Sequence, residues 1–226
     1  MNDDTLLLTL QHGDSFFPTG SIAFSWGLEG LHRDGLVRKA EDLLGFIEGQ
    51  LRGRWGTCDL PATLAAYRSH GALDEVAAVD AALETLTLPQ QLREGSRKSG
   101  AALLGVHQKL GTAGAAPYRA MMQSGTVAGH LPAVQGLLWF HIGASEASAC
   151  AMSAHAATVG LLSAAVRLAI VGHLDAQRIL TKTHAIIEEI VSARPVSDLD
   201  QLSSYAPAAE IAAMRHETRD ARLFFN

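Results

Sequence analysis

Apolar residues recur along most of the chain at intervals of three and four, which is the period of an amphipathic helix. Segment 74–87 shows the pattern in a simple form, with apolar positions at Val76, Val79, Leu83 and Leu86. The sequence has no alternating Val, Ile and Thr runs and no Asn-Gly or Asp-Gly hairpin turn. The pattern therefore predicts an all-α fold, a single-domain helical bundle of roughly nine or ten helices.

Caps and helix breakers set the predicted bounds of these helices. They cover residues 6–11, 22–33, 41–52, 61–69, 74–87, 92–110, 118–128, 132–142, 145–171 and 176–193. Ser145 is the predicted N-cap of the longest helix, and Pro61 suits the first turn of another. Polar segment 194–206 is predicted to be a mobile linker. Pro207 then opens a terminal helix in a tail that runs over 207–226.

One stretch is long and uncharged enough to raise the question of a membrane span. Ala147 to Val166 contains no Asp, Glu, Lys or Arg. Most of its residues are Ala, Ser, Gly and Thr, and His155 lies in the middle, so it is only weakly hydrophobic. The composition favours a central helix of a soluble bundle. A membrane protein centred on Ala147 to Val171 is the alternative.

The composition excludes several function classes. The net charge is -5, and the absence of a basic excess argues against nucleic acid as the main ligand. Cys58 and Cys150 lie far apart and form no CxxC pair. The N-terminus is acidic and does not resemble a secretory leader. These features predict a reducing, cytoplasmic location.

Catalytic and metal-binding motifs are absent from the sequence. None of the ten histidines pairs with another at i+3 or i+4, and there is no HExxH, GxSxG, GxxxxGK[ST] or GxGxxG motif. The sequence therefore predicts no catalytic residue, no metal ligand and no cofactor. The alternative is a helical enzyme of unknown reaction whose pocket contains His130, His141 or His155.

The carboxyl end combines cationic and apolar residues. Arg215, Arg219 and Arg222 are spaced i, i+4 and i+7, so a helix would place them on one stripe. Leu223 and Phe224 follow at once. Such a tip either folds back into the core of its own chain or docks on a partner, and arginine beside aromatic anchors favours a partner interface.

Two segments of the sequence together resemble a known family. One is residues 14–29, which read DSFFPTGSIAFSWGLE, and the other is Met214–Glu217 followed by Arg222–Phe224. Further landmarks occur in order between them: Asp59–Pro61, Leu92–Gly100, Gly129–Pro132 and Ser163–Leu168. The ordered set resembles the urease accessory protein UreF family over nearly the whole chain, so residues 1–226 are interpreted as one UreF-like all-helical domain.

The resemblance implies a non-catalytic urease maturation chaperone that is required for nickel insertion into apo-urease. Proteins of this kind form homodimers, bind UreD (also called UreH) and recruit the GTPase UreG. They are thought to modulate the GTPase cycle of UreG. The implied partners are therefore UreD/UreH, UreG and the urease apoprotein, with no nucleic acid and no membrane.

The resemblance also implies where partners bind. In the tail, the residues expected to contact UreD are Arg215, His216, Glu217, Arg222, Leu223 and Phe224, and Arg219 joins them on the arginine stripe. Near the N-terminus, Pro18, Gly20, Ser25, Gly27 and Glu29 are expected to serve folding and the dimer or partner surface. Two alternatives stay open: the tip packs on the chain's own helices, and Glu29 is a solvated residue beside an ordinary turn.

Overall fold

Helices occupy most of the described chain, as the 3.6-residue period of the sequence predicts. The computed structural model describes residues 3–14, 16–18, 24–193, 198–216 and 223–224. The α-helices are α1 Asp3–Gly13, α2 Leu28–Arg33, α3 Ala40–Gln50, α4 Leu60–Arg68, α5 Leu73–Leu86, α6 Gln90–Lys109, α7 Ala115–Gln123, α8 Leu131–His141, α9 Glu146–Arg167, α10 His173–Ser192 and α11 Pro207–His216. A π-helix spans Leu51–Asp59 and a 3₁₀ turn spans Leu199–Gln201. The described ranges contain no strand, so the predicted all-α fold is confirmed.

Helix α9 lies at the centre of the bundle. It contacts α1, α2, α3, α4, α8, α10 and the π-helix. Ser145 caps its start, because the Ser145 Oγ accepts the backbone N–H of Ser148 at 3.1 Å, as the sequence predicts. Among the described helices, α9 alone is long and apolar enough to cross a membrane, and 56% of that stretch is buried inside the protein. Its many helix neighbours are those of a central bundle helix.

The apolar residues form two large clusters on either side of the bundle. The first joins α2, α3, α9 and α10, and Leu28, Leu43 and Ile47 are fully buried in it. The second joins α4, α5, α6, α7 and α8 around the buried ring of Tyr118 and Leu137. Helices α4 and α8 pack closely, because a Cβ on Gly136 would meet the carbonyl oxygen of Thr63 in α4.

The predicted break between 52 and 61 is wrong. The helix continues from α3 through the π-helix into α4 without interruption. Its apolar face continues as well, because Leu51, Trp55 and Cys58 are all buried. Gly53 and Gly56, which suggest a break in the sequence, instead allow close packing against Tyr205 and Ile190.

Helix α2 begins later than the sequence predicts. It starts at Leu28, not at Ile22, because Trp26 and Gly27 have φ angles of 53° and 88° and cannot belong to a right-handed helix. The described part of the linker, residues 198–206, lies against the π-helix. There the backbone N–H of Tyr205 donates to the carbonyl oxygen of Gly53 at 2.7 Å.

Candidate functional site

Helices α2 and α11 pack with their backbones unusually close together. Gly27 takes a left-handed φ of 88°, and a Cβ placed there would lie 2.5 Å from the carbonyl oxygen of Ala209. One turn along, a Cβ on Gly30 would lie 3.0 Å from both the Cβ and the carbonyl oxygen of Ala212. Only glycine fits without a shift at the first position, because it alone tolerates both the angle and the contact. The two ends of the sequence therefore meet through small residues.

Glu29 lies between these two glycines in the sequence and is fully buried. One carboxylate oxygen accepts the backbone N–H of Leu223 at 2.9 Å, and the other accepts that of Phe224 at 3.1 Å. Arg33 places a guanidinium nitrogen 2.8 Å from the first oxygen. The buried charge is therefore compensated by a cation and by backbone donors, as a buried carboxylate requires. The alternative in which Glu29 is solvated is wrong.

Phe224 fills a pocket of its own chain. Its side chain is 4% exposed and joins the first core cluster, where Leu28, Leu31 and Ala212 are also buried. The guanidinium carbon of Arg167 lies 4.3 Å from the ring centroid, in position for a cation–π interaction. The sequence interpretation places this ring in a pocket of a partner, whereas the structure describes it in an intramolecular pocket.

The outward side of the same segment is apolar and exposed. Leu223 is 51% exposed, next to the buried Phe224. On α11, Ile211 and Met214 are exposed, while Ala212 and Ala213 between them face the core. We call Ile211, Met214, Arg215 and Leu223 the tail surface. Ile211, Met214 and Arg215 share one face of α11 at i, i+3 and i+4, and exposed apolar residues beside a cation have the composition of a protein-binding surface.

The structure describes only part of the predicted partner-binding set. Arg215 is exposed, with a guanidinium nitrogen 3.9 Å from a carboxylate oxygen of Asp34. Ser25 is buried, and its hydroxyl oxygen lies 3.4 Å from the backbone N–H of Glu29. Pro18 is exposed. Outside the described residues are Gly20, Glu217, Arg219 and Arg222, together with the side chain of His216.

Sequence reasoning missed several residues that build this site. Gly30 and the alanines of α11 make the close helix contact, and Arg33 and Arg167 supply the cations that face Glu29 and Phe224. One signal was available in advance: Gly27 and Gly30 are spaced i, i+3, which places two small residues on one helix face. No sequence signal links Arg167 to a residue that lies 57 positions further along the chain.

A second set of polar contacts fixes the segment that precedes α11. The Arg54 guanidinium donates to Asp59 at 3.0 Å, to Thr87 at 3.1 Å and to Ser204 at 3.4 Å. Burial disfavours the charged form of Arg54, but Asp59, Cys58 and Glu210 together outweigh this effect and raise the pKa of Arg54. Ser204 in turn donates to Glu210 on α11 at 2.8 Å. These contacts tie the terminal helix to the π-helix.

The landmarks 92–100 and 129–132 meet at a buried acidic network on α5. The carboxylate of Asp80 accepts the backbone N–H groups of Ala128, Gly129 and His130 at 2.6, 3.1 and 2.6 Å. One turn along, Glu84 accepts from Arg97 and lies 2.8 Å from the Nε2 of His130. The network holds the segment before α8 in place, so these landmarks have a structural role.

The candidate enzyme histidines do not share one pocket in the part of the chain that the structure describes. His130 contacts Glu84, while His141 packs beside Gly71 and Gly114. His155 lines a separate groove with His184. The described residues also contain no group of three His, Cys, Asp or Glu side chains placed to hold a metal ion. This dispersed arrangement offers no acid–base pair among the three candidates.

Comparisons with known proteins found similar sequences that cover the chain from end to end. The family model described as UreF matches residues 37–184. A urease accessory protein UreF from Trichodesmium erythraeum is 33% identical over 97% of this chain and 96% of its own length. Urease accessory proteins UreF from Yersinia enterocolitica and Yersinia pseudotuberculosis are 30% and 29% identical, over the full length of both chains.

Proposed function

Because the chain belongs to the UreF family of urease accessory proteins, which are not enzymes, we propose that it acts as a chaperone required for nickel insertion into apo-urease. In this proposal it holds other maturation proteins in one complex and carries out no bond chemistry itself. It works in the cytoplasm as a homodimer. Nickel is the cargo of the complex and not a resident cofactor of this chain.

The observation that carries the proposal is the way in which the chain's own carboxyl end is held. Phe224 is buried and Glu29 clamps the adjacent backbone, so Leu223 and the outward face of α11 are presented at fixed positions. A surface that is ordered before binding loses less conformational entropy on association than a free tail does. We therefore propose that the tail surface binds UreD, and that Phe224 and Glu29 position this surface from within the chain.

Residues around the tail surface extend the proposed interface. Arg215 is exposed, and Arg219 and Arg222 follow it at helical spacing in the sequence. Arginines at such positions pair with carboxylates of a partner. The proposed UreD complex then recruits UreG and modulates its GTPase cycle, and the assembly acts on the urease apoprotein.

The first test distinguishes damage to the tail surface from damage to the fold. Leu223→Asp and Met214→Asp each place a charge on the tail surface at an exposed position. We expect each to weaken UreD capture at least tenfold, because an anchor at an interface contributes about 2 kcal/mol or more. Leu110→Asp is the matched control, because Leu110 is exposed at the end of α6. Unchanged UreD binding by both tail variants would reject the assignment.

The second test addresses nickel insertion and GTP hydrolysis directly. Cells that lack this gene and express the urease operon should contain inactive, nickel-poor urease. Wild-type chain and the Leu110→Asp control should restore nickel content and urease activity, and Leu223→Asp should not. Purified UreG is then assayed for GTP hydrolysis with UreD alone and with UreD plus this chain. Normal urease maturation without the gene would reject the chaperone role, and equal hydrolysis rates would reject the GTPase role.

A further inference from the structure

A groove separate from the tail surface runs between α1 and α10. Its volume is about 530 Å³, and α9 forms its floor. The groove is lined by Thr9, Leu10, Gly13, Asp14, Ala151, Met152, Ala154, His155, Leu180, His184, Ile187 and Glu188. Both α1 and α10 pack against α9, so the groove has a helix on each side and a third beneath.

The floor of the groove is made of small and apolar side chains. Ala151 and His155 line the groove and are exposed along α9 at i and i+4, which places them on one face. Four residues of helix correspond to about 6 Å, or roughly one turn. Small floor residues allow another backbone to approach closely. Leu10 on one wall and Leu180 on the other supply apolar contact area.

The groove carries acidic groups on both walls. Asp14 follows α1 on one side, Glu188 lies on α10 on the other, and both are exposed. Among the described lining residues there is no lysine or arginine. Partial burial of the His155 ring, and then the nearby His184, lower the pKa of His155, which disfavours its charged form. The chain as a whole also carries a net charge of -5.

We propose that this groove is a second protein-binding surface, and that its occupant is an amphipathic helix of another protein whose apolar face is flanked by lysine or arginine. The small side chain of Ala151 on the floor allows a helix to approach closely, and Leu10 and Leu180 on the walls contact the apolar face of that helix. The carboxylates of Asp14 and Glu188 then face the flanking cations. The surface is distinct from the tail surface, so one chain holds two partners at once.

The groove is tested first with two synthetic helical peptides and the full chain. Both peptides have leucine on one face; lysine flanks that face in the first and glutamate in the second. We expect the lysine peptide to bind at least tenfold more tightly than its twin. Ala151→Trp fills the floor of the groove, and Glu188→Lys reverses the charge on its wall. Each substitution should weaken binding of the lysine peptide at least tenfold. Glu75→Lys, at an exposed position on α5, should not.

Three other outcomes of the peptide experiment would contradict the proposal. No binding of the lysine peptide, or equal binding of the two peptides, would overturn it. Loss of binding in Ala151→Trp but not in Glu188→Lys would show that the occupant is not selected by charge, which also overturns it. Equal melting temperatures for the variants and the wild type confirm that each variant folds.

The same variants are then measured with UreD, UreG and the urease apoprotein separately. We expect both groove variants to weaken binding of UreG or of the urease apoprotein at least tenfold, and Leu223→Asp to leave that binding unchanged. Unchanged binding of all three would reject the groove as a surface for these partners. If the wild-type chain binds none of them, the proposed function fails, while the peptide experiment still decides the groove.

Discussion

The buried carboxylate of Glu29 accepts the backbone N–H of Phe224 at 3.1 Å, across 195 positions of the sequence. A carboxylate can accept from two adjacent N–H groups at once, whereas an amide side chain presents one oxygen and one NH₂ group. The hydrogen bonds from Leu223 and Phe224 therefore depend on the charge of the Glu29 side chain and not only on its shape.

Glu29→Gln should release the carboxyl-terminal tip. The amide would place N–H groups against the N–H groups of Leu223 or Phe224, and one buried donor would lose its partner. We expect a loss of about 1–3 kcal/mol in the free energy of unfolding. Hydrogen exchange at residues 223 and 224 should become faster than in the wild type. UreD binding should also weaken, because the tail surface is no longer held.

Glu75→Gln is the control for this prediction, since Glu75 is exposed on α5 and the substitution removes the same charge. It should leave the unfolding free energy within about 0.5 kcal/mol of wild type. Slow exchange at residues 223 and 224 in Glu29→Gln would show that the tip is held without the carboxylate.

Gly27→Ala should separate α11 from α2. The added methyl group would meet the carbonyl oxygen of Ala209 at 2.5 Å, and the φ of 88° is unfavourable for alanine. We expect a destabilisation of about 2 kcal/mol or more, together with faster hydrogen exchange across 207–216. Chemical unfolding and exchange mass spectrometry measure the two effects.

Gly45→Ala on α3 controls for the helix propensity of alanine, because nothing lies within 4 Å of a Cβ at that position. It should be neutral or stabilising by up to about 1 kcal/mol. Similar stability for Gly27→Ala and Gly45→Ala would contradict the close contact between the two helices.

Glu84 should contribute to stability in a pH-dependent way. Hydrogen bonds from Arg97, and then from His130, lower the pKa of Glu84 to about 2 from its usual 4.5. Above pH 4.5 this carboxylate is ionised in both folded and unfolded chains, and its full contribution is present. As the pH falls from 4.5 towards 2, the unfolded chain takes up the proton first, so the contribution is lost.

The measurement for Glu84 is urea unfolding of wild type and Glu84→Gln between pH 2 and pH 7. The wild type should be the more stable above pH 4.5, and the difference should shrink steadily towards pH 2. A constant difference across this range would show that the carboxylate charge does not carry the interaction with Arg97 and His130.

The two cysteines should be unreactive in the folded protein. Burial raises the pKa of Cys58 to about 12 and that of Cys150 to about 11, so the thiolate is scarce at pH 8. A thiol reagent at pH 8 should therefore modify both residues only after denaturant is added. Rapid modification of either thiol without denaturant would contradict its burial.

The helical framework was predictable because it depends on local periodicity. Val76, Val79 and Leu83 are buried on α5, as their spacing in the sequence indicates. The continuous helix through 51–59 was not predictable, because Gly53 and Gly56 act as breakers in isolation. In the structure they are contact points for residues more than a hundred positions away, Tyr205 and Ile190.

The sequence predicted individual residues of the candidate site but not the contacts between them. The family pattern selected Gly27, Glu29 and Phe224 as important, but not the contact between them. Whether a charged residue such as Glu29 is solvated or buried depends on which segment packs over it, and that segment lies at the other end of the chain. Phe224 is buried while its neighbour Leu223 is exposed. This difference depends on the backbone conformation after α11, which helical periodicity does not predict.

The long separation between Glu29 and Phe224 has a consequence for how the protein is made. Translation adds about 5–20 residues per second, so Glu29 is synthesised roughly 10–40 s before the tip that it binds. A chain that stops early on the ribosome lacks α11 and Phe224, and its Glu29 has no backbone donors from the carboxyl end. Incomplete translation products therefore lack the tail surface.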